Sequence, residues 1–334
     1  MTRAAMILLT LGTALFVALI AWQGFGAIAA TLGTAGWGLL LVAAFHLLPL
    51  VVDAAAIQVS LTTRKTFVNA LLARWAGESV NSLLPAGQIG GPVVMARQLA
   101  QRGVPMRDAA SAITVSTTMQ ALAQIVFAFT GLAAFAAFAA TGTHHAAHGM
   151  RVATLIASGV LTLALAAFYV AQRRGMFGRF VRVAGKAFGK RDWSALTTRA
   201  DAIDEAVRTL YRDRSRVAAT FALSFIGWVV GVGEVWVALS LLGHPVGWLD
   251  ALLLESVGQA IRGAAFAIPG SLGAQEGGYL LLAPLVGLTP DAALALSLAK
   301  RARELALGLP GVAYLHWSER KWQRRRTAGA PVAD

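Results

Sequence analysis

The sequence contains no cysteine. Disulfides and thiolate metal sites are excluded with it, and cysteine usage says nothing about redox compartment. Charge is scarce as well. Asp, Glu, Lys and Arg supply 13% of residues against 57% hydrophobic, and mean hydropathy is +0.64. A soluble domain needs more polar surface than this; a chain facing lipid does not. Acidic residues are the scarcer sign, 16 against 29 basic, giving a net charge of +13. In a soluble protein that excess would point to nucleic acid. Here the basic residues sit in loops between apolar segments, so they point to topology and anionic lipid, and no nucleic-acid partner is expected. Catalytic motifs are missing too: no G-x-S-x-G, H-E-x-x-H or P-loop pattern occurs. Acyl, phosphoryl and metallohydrolase chemistry have no visible residue set, so the expectation is a protein that is not an enzyme and has no cofactor. His144, His145 and His148 share one short stretch with no other ligand nearby, and a solvated loop explains them better than a metal.

What is present is long apolar segments. About 20 residues cross a hydrocarbon core. Candidate spans are residues 4–22, 37–59, 109–140, 152–171, 217–242 and 292–317. Arg3 and the run 6–20 resemble a signal peptide, but the small-residue cleavage pattern is not convincing and more spans follow, so a retained first helix is expected. Two further apolar regions, 67–99 and 249–286, are interrupted at Pro85-Ala-Gly-Gln-Ile-Gly-Gly91 and at Pro269-Gly-Ser-Leu-Gly-Ala-Gln-Glu-Gly-Gly278. Proline and glycine at this density stop a helix. Broken backbone at membrane depth is tolerated only inside protein or beside a wet cavity, so both regions are expected to be re-entrant hairpins. Basic residues at 64–65, Arg97, Arg102, Arg107, 172–216 and 320–326, with none at 23–36 or 141–150, place both termini in the cytoplasm of a bacterial-type inner membrane.

The expected fold is an all-α polytopic membrane protein, one transmembrane domain over 1–334, built from inverted-topology repeats that each contain a re-entrant helical hairpin. Glu78-Ser-Val80 recurs as Glu255-Ser-Val257, and each copy is followed by a proline (Pro85, Pro269) and a glycine pair (Gly90-Gly91, Gly277-Gly278). Val52-Asp53 resembles Gly233-Glu234, and Pro105 and Asp108 resemble Pro290 and Asp291 at the start of the next span. The first repeat covers 37–140 and the second 217–317, each read as span, hairpin, span in opposite orientations. In transporters such repeats hold the substrate near the midplane. Between them, 172–216 is a basic cytoplasmic loop, and 318–334 is a basic tail. The loop holds an amphipathic helix whose stripe is Trp193, Leu196, Ala200, Ile203, Val207 and Leu210. It fits equally a helix on the membrane surface and one packed on the protein.

Charges inside spans are expensive and usually functional. Lys300, Arg301, Arg303 and Glu304 cluster near the middle of the last span. One Glu cannot balance three cations. The surplus requires Glu255, Glu276 or Glu234, or an anionic ligand, and arginine suits a phosphate head group. Arg74 and Glu78 are four apart and Glu255 and Arg262 seven apart, each pair on one helix face. Asp53 lies near the cytoplasmic end of its span. Gly90-Gly91 and Gly277-Gly278 either present amides to an anion or allow close packing.

Asn81-Ser-Leu-Leu-Pro85, Gly90-Gly91, Arg97, Pro269-Gly270-Ser-Leu-Gly273 and Glu276-Gly277, followed by the Arg301-bearing span, resemble the lysylphosphatidylglycerol synthase transmembrane (flippase-like) family. The stretch 262–278 with Lys300-Arg-Ala-Arg-Glu304 looks like the branch found in hopanoid biosynthesis clusters. Pro92 stands where the family often has an acidic residue, and the 17 residues after Trp317 leave no aminoacyl-transferase domain. The resemblance implies a domain that moves lipid between leaflets, with anionic phospholipid or a hopanoid as its partner. An accessory subunit or intramembrane enzyme that presents lipid to a biosynthetic partner is the alternative. A pure scaffold would not need the buried charges.

Overall fold

The structure, a computed structural model, describes residues 32–63, 66–83, 87–139, 174–187, 194–265 and 271–327, with isolated positions besides. The spans expected at 4–22 and 152–171, the histidines of 141–150, Trp193, Pro85, Pro269 and Gly270 fall outside the described residues, apart from isolated positions. All regular structure described is helical. Three stretches are long and apolar enough to cross a membrane: Gly38–Ser60, Met106–Ala134 and Arg214–Leu241.

The first stretch is bent. Helix α1 (Gly38–Phe45) gives way to α2 (Leu47–Ser60), with His46 between them. Pro49 has no N–H to offer the Phe45 carbonyl four residues back, and its ring crowds that carbonyl. The break therefore falls just after Phe45.

Helices α3 (Phe67–Leu83) and α4 (Gly87–Ala100) form a tight antiparallel hairpin, with Gly77 against Met95 and Asn81 against Gly91. The interruption is shorter than the sequence suggests, because Gly87–Gly91 is already helical. Each glycine costs a helix only about 1 kcal/mol, which packing on α3 offsets. Long α5 (Met106–Ala139) follows, then α6 (Met176–Ala187), α7 (Ser194–Arg212) and the span α8 (Arg214–Leu241). The apolar stripe of α7 packs on the protein: Val207 and Leu210 are buried with Val115 and Met119 of α5. The membrane-surface reading of that helix is thereby replaced.

The second hairpin is α9 (Trp248–Ala264) and α10 (Ala274–Leu282), the latter running into a 3-10 turn, Ala283–Leu285. Here too the helix resumes early: Ala274–Gly278 is helical. The turn falls at Gly273, whose φ of +79° favours glycine. The last helix, α11 (Pro290–Thr327), extends ten residues past the span expected from hydropathy.

Each hairpin packs on spans of its own half and reaches across to the other half as well. Helix α3 packs on α11, and α9 packs on α5. The two crossings share a feature. Ser79 of α3 faces Gly311 of α11, and Ser256 of α9 faces Gly131 of α5. A Cβ at either glycine would come within 1.9 or 1.8 Å of the serine hydroxyl. Only a glycine permits that approach.

Candidate functional site

An open cavity of about 330 Å³ lies between the hairpins and the spans. Charged side chains reach it from five helices and from the α1–α2 bend. Asp53 of α2 accepts hydrogen bonds from Arg74 Nη2 at 2.7 Å and Gln120 Nε2 at 2.8 Å. Arg74 also lies 3.4 Å from Glu78. His46 places Nε2 at 2.7 Å from Glu78 Oε1 and Nδ1 at 2.6 Å from Glu234 Oε2. Arg303 Nη1 donates to the same Glu234 oxygen at 3.1 Å and touches the His46 ring. Arg262 Nη1 pairs with Glu304 Oε1 at 2.8 Å. Gln259 donates to Glu255 at 2.8 Å.

A second layer sits behind the cavity wall. Lys300, 1% exposed, donates to Glu255 Oε2 at 2.5 Å. Arg301 pairs with Glu276 at 3.2 Å and with Glu304 at 3.1 Å. Glu276 in turn accepts from Gly273 N at 2.7 Å, so the first turn of α10 is capped by its own carboxylate. Buried charges survive only when paired, because desolvation is otherwise uncompensated.

This pairing decides the balance that the sequence left open. Asp53, Glu78, Glu234, Glu255, Glu276 and Glu304 meet Arg74, Arg262, Lys300, Arg301 and Arg303. Carboxylates from other helices absorb the cationic surplus of α11, and no anion is required for neutrality. Nor do the three cations form one receiving site. Only Arg303 lines the cavity; Lys300 and Arg301 point to other carboxylates.

Glu78, Asn81, Glu234, Glu255, Arg262, Arg303 and Glu304 lie together on the cavity wall. The helix-face pairs fare differently. Arg74 lies closer to Asp53 than to Glu78, and Glu255 pairs with Lys300 rather than Arg262. Arg97 is away from the cavity and bonds Glu319 at 2.7 and 2.8 Å. The glycine pairs lie inside helices. Gly91 N donates to Asn81 Oδ1 at 2.8 Å, and Gly277 N to the Gly273 carbonyl at 2.9 Å, so neither amide is left for an anion. Close packing accounts for Gly91, where a Cβ would meet the Asn81 side chain at 2.5 Å, and for Gly278, which faces Ile261. His46 was not among the expected site residues. Its signal was a lone histidine in an apolar span, which the rule for intramembrane charges would have caught.

Residues 9–311 match the family model described as the lysylphosphatidylglycerol synthase TM region. No curated protein and no solved structure matches the chain.

Proposed function

The chain belongs to the lysylphosphatidylglycerol synthase transmembrane family, and from that membership we propose that it moves an amphiphilic lipid between the leaflets of a bacterial inner membrane. The observation that carries this reading is the polar cavity itself. Helices of both hairpins and of three spans contribute to its wall, at the level of an otherwise apolar bundle. A lipid head group needs such a polar path, while its chains can stay in the bilayer beside the helices. The wall alternates arginines with carboxylates. It therefore favours a head group that bears both signs, or one rich in hydroxyls, over a strongly anionic one. A phospholipid or a hopanoid-type lipid with a polar head meets that description.

The hairpins are read as re-entrant. Helix α4 has 14 residues and α10 has nine, about 21 and 13 Å of helix, short of a core about 30 Å thick. Packing of each hairpin on a span of the other half fits two halves of opposite orientation, and the basic loops and tail argue for both termini in the cytoplasm. Each hairpin would then open the cavity toward one leaflet.

The test is lipid scrambling in proteoliposomes, with fluorescent phospholipid and hopanoid-like probes. Folded wild-type protein is expected to equilibrate at least one probe, and Arg303→Ala to slow it tenfold or more. Failure of folded wild type to move any probe would sink the reading.

A further inference from the structure

His46 has a carboxylate oxygen on each ring nitrogen, Glu234 Oε2 at Nδ1 and Glu78 Oε1 at Nε2, both within 2.7 Å. An ionised carboxylate only accepts, and a neutral imidazole has only one N–H. The two contacts together therefore need one proton more than a neutral imidazole and two carboxylates contain. That proton makes the ring an imidazolium or one of the carboxylates a carboxyl.

Arg303 is a rival for the same groups. Its Nη1 shares Glu234 Oε2 and touches the His46 ring. A guanidinium only donates, so it can bond Nδ1 only after that nitrogen has lost its hydrogen. Two arrangements thus compete, and they differ by one proton. With the proton, His46 ties Glu78 of the first hairpin to Glu234 of the second half's span. Without it, His46 accepts from Arg303 and can hold at most one carboxylate. The cluster has slack for such re-pairing: Glu234 Oε1 and Arg303 Nε have no hydrogen-bond partner among the described residues. The charge balance points the same way. Six carboxylates meet five permanent cations, and a proton on His46 completes the match. An unmatched buried charge is costly. The other charged groups facing the site are Arg74 of α3, at Glu78, and Asp53 of α2, held by Arg74. Glu304 of α11 lies beside Arg303 and pairs with Arg262 of α9, and the Lys300–Glu255 pair between α11 and α9 adds its charges next to Glu234 and Arg303.

We propose that His46, Glu78 and Glu234 form a proton-binding site whose occupancy couples proton transfer to lipid movement. This rests on the lipid-moving reading above. All three residues line the cavity, so protons can reach them through it. The proton that arrives bonds to His46 Nδ1 or Nε2, or to a carboxylate oxygen, and the same site gives it up when Arg303 turns to the ring. The proton therefore decides whether His46 ties Glu78 of the first hairpin to Glu234 of α8 or turns instead to Arg303 of α11.

The experiment uses the whole chain in proteoliposomes, with the membrane potential clamped by potassium and valinomycin, a fluorescent phospholipid probe and an internal pH dye. A one-unit pH step is expected to drive the probe to one leaflet by up to about tenfold for one proton per lipid, with matching proton movement. His46→Gln is expected to lose that response. A wild-type protein that moves the probe but ignores the gradient overturns the coupling and leaves the lipid reading intact. No movement at all removes both. A second readout is independent of transport: nitrogen NMR of histidine-labelled protein. An imidazolium or strongly hydrogen-bonded ring signal near pH 7.5, lost in His46→Gln, supports the site; a weakly bonded neutral ring overturns it.

Discussion

Lys300 of α11 and Glu255 of α9 form an ion pair at 2.5 Å with no more than 5% of either side chain exposed. Removing one partner leaves the other charged and buried, which costs about 3–5 kcal/mol, whereas replacing both with apolar groups is often neutral. Lys300→Met is therefore expected to lower the thermal midpoint in detergent sharply, and Lys300→Met with Glu255→Leu to recover most of the loss. A single variant as stable as wild type would show that the pair does not hold α9 to α11.

The contact of Ser79 with Gly311 leaves no space for a methyl group. Gly311→Ala should destabilise by about 1–3 kcal/mol, the usual range for overpacking. Ser79→Gly on top of it should restore stability, since the clash is with the hydroxyl side chain. Gly131→Ala and Ser256→Gly should repeat the pattern at the other crossing. A double-mutant cycle in thermal unfolding reads both, and additive effects would contradict the packing.

At the cytoplasmic end, hydrogen bonds from Arg97 and then Gln101 hold the Glu319 carboxyl below its ordinary range, against the opposing push of partial burial. A depressed carboxylate stabilises the fold above its unfolded pKa of about 4.3, and that stabilisation fades as pH falls through the lower folded value. Glu319→Gln is thus expected to be less stable than wild type at pH 7, with the gap closing below about pH 4. Thermal midpoints of both proteins across that range check the sign; a gap that widens in acid would reverse it.

Helix α7 offers a contrast between two of its own positions. Val207 is 1% exposed and Leu196 is 50% exposed. Val207→Asp should unseat α7 from α5, because a carboxylate there has no partner. Leu196→Asp should stay within about 0.5 kcal/mol of wild type. Equal tolerance of the two, judged by proteolysis of the loop around α7, would restore the membrane-surface reading.

Much of this architecture was legible in the sequence. Hydropathy located the described spans to within a few residues, except at the end of α11, and proline with glycine located both hairpin turns. The turns came out too long because Gly87–Gly91 and Ala274–Gly278 fold as helix under tertiary packing, which propensity does not record. The charged site was half legible. Lys300, Arg301 and Arg303 are neighbours in sequence, so they read as one cluster. On a helix they point in different directions, toward Glu255 of α9, Glu276 of α10 and Glu234 of α8. Only the placement of those three helices decides that the charges cancel. His46 was hidden for another reason: it interrupts a hydrophobic run without ending it, and the Pro49 that bends the chain there follows three residues later.

The reach of the first hairpin across to the last helix also bears on how the chain is made. Helix α3 finds its neighbour α11 only once residues 290–327 have left the ribosome, more than 200 residues after α3 itself. Until then the Trp75 indole N–H and Ser79 wait in the first hairpin without the last helix to close over them. Early synthesis thus yields a half-built bilayer resident with polar groups unshielded, and the final helix is the clasp that completes assembly.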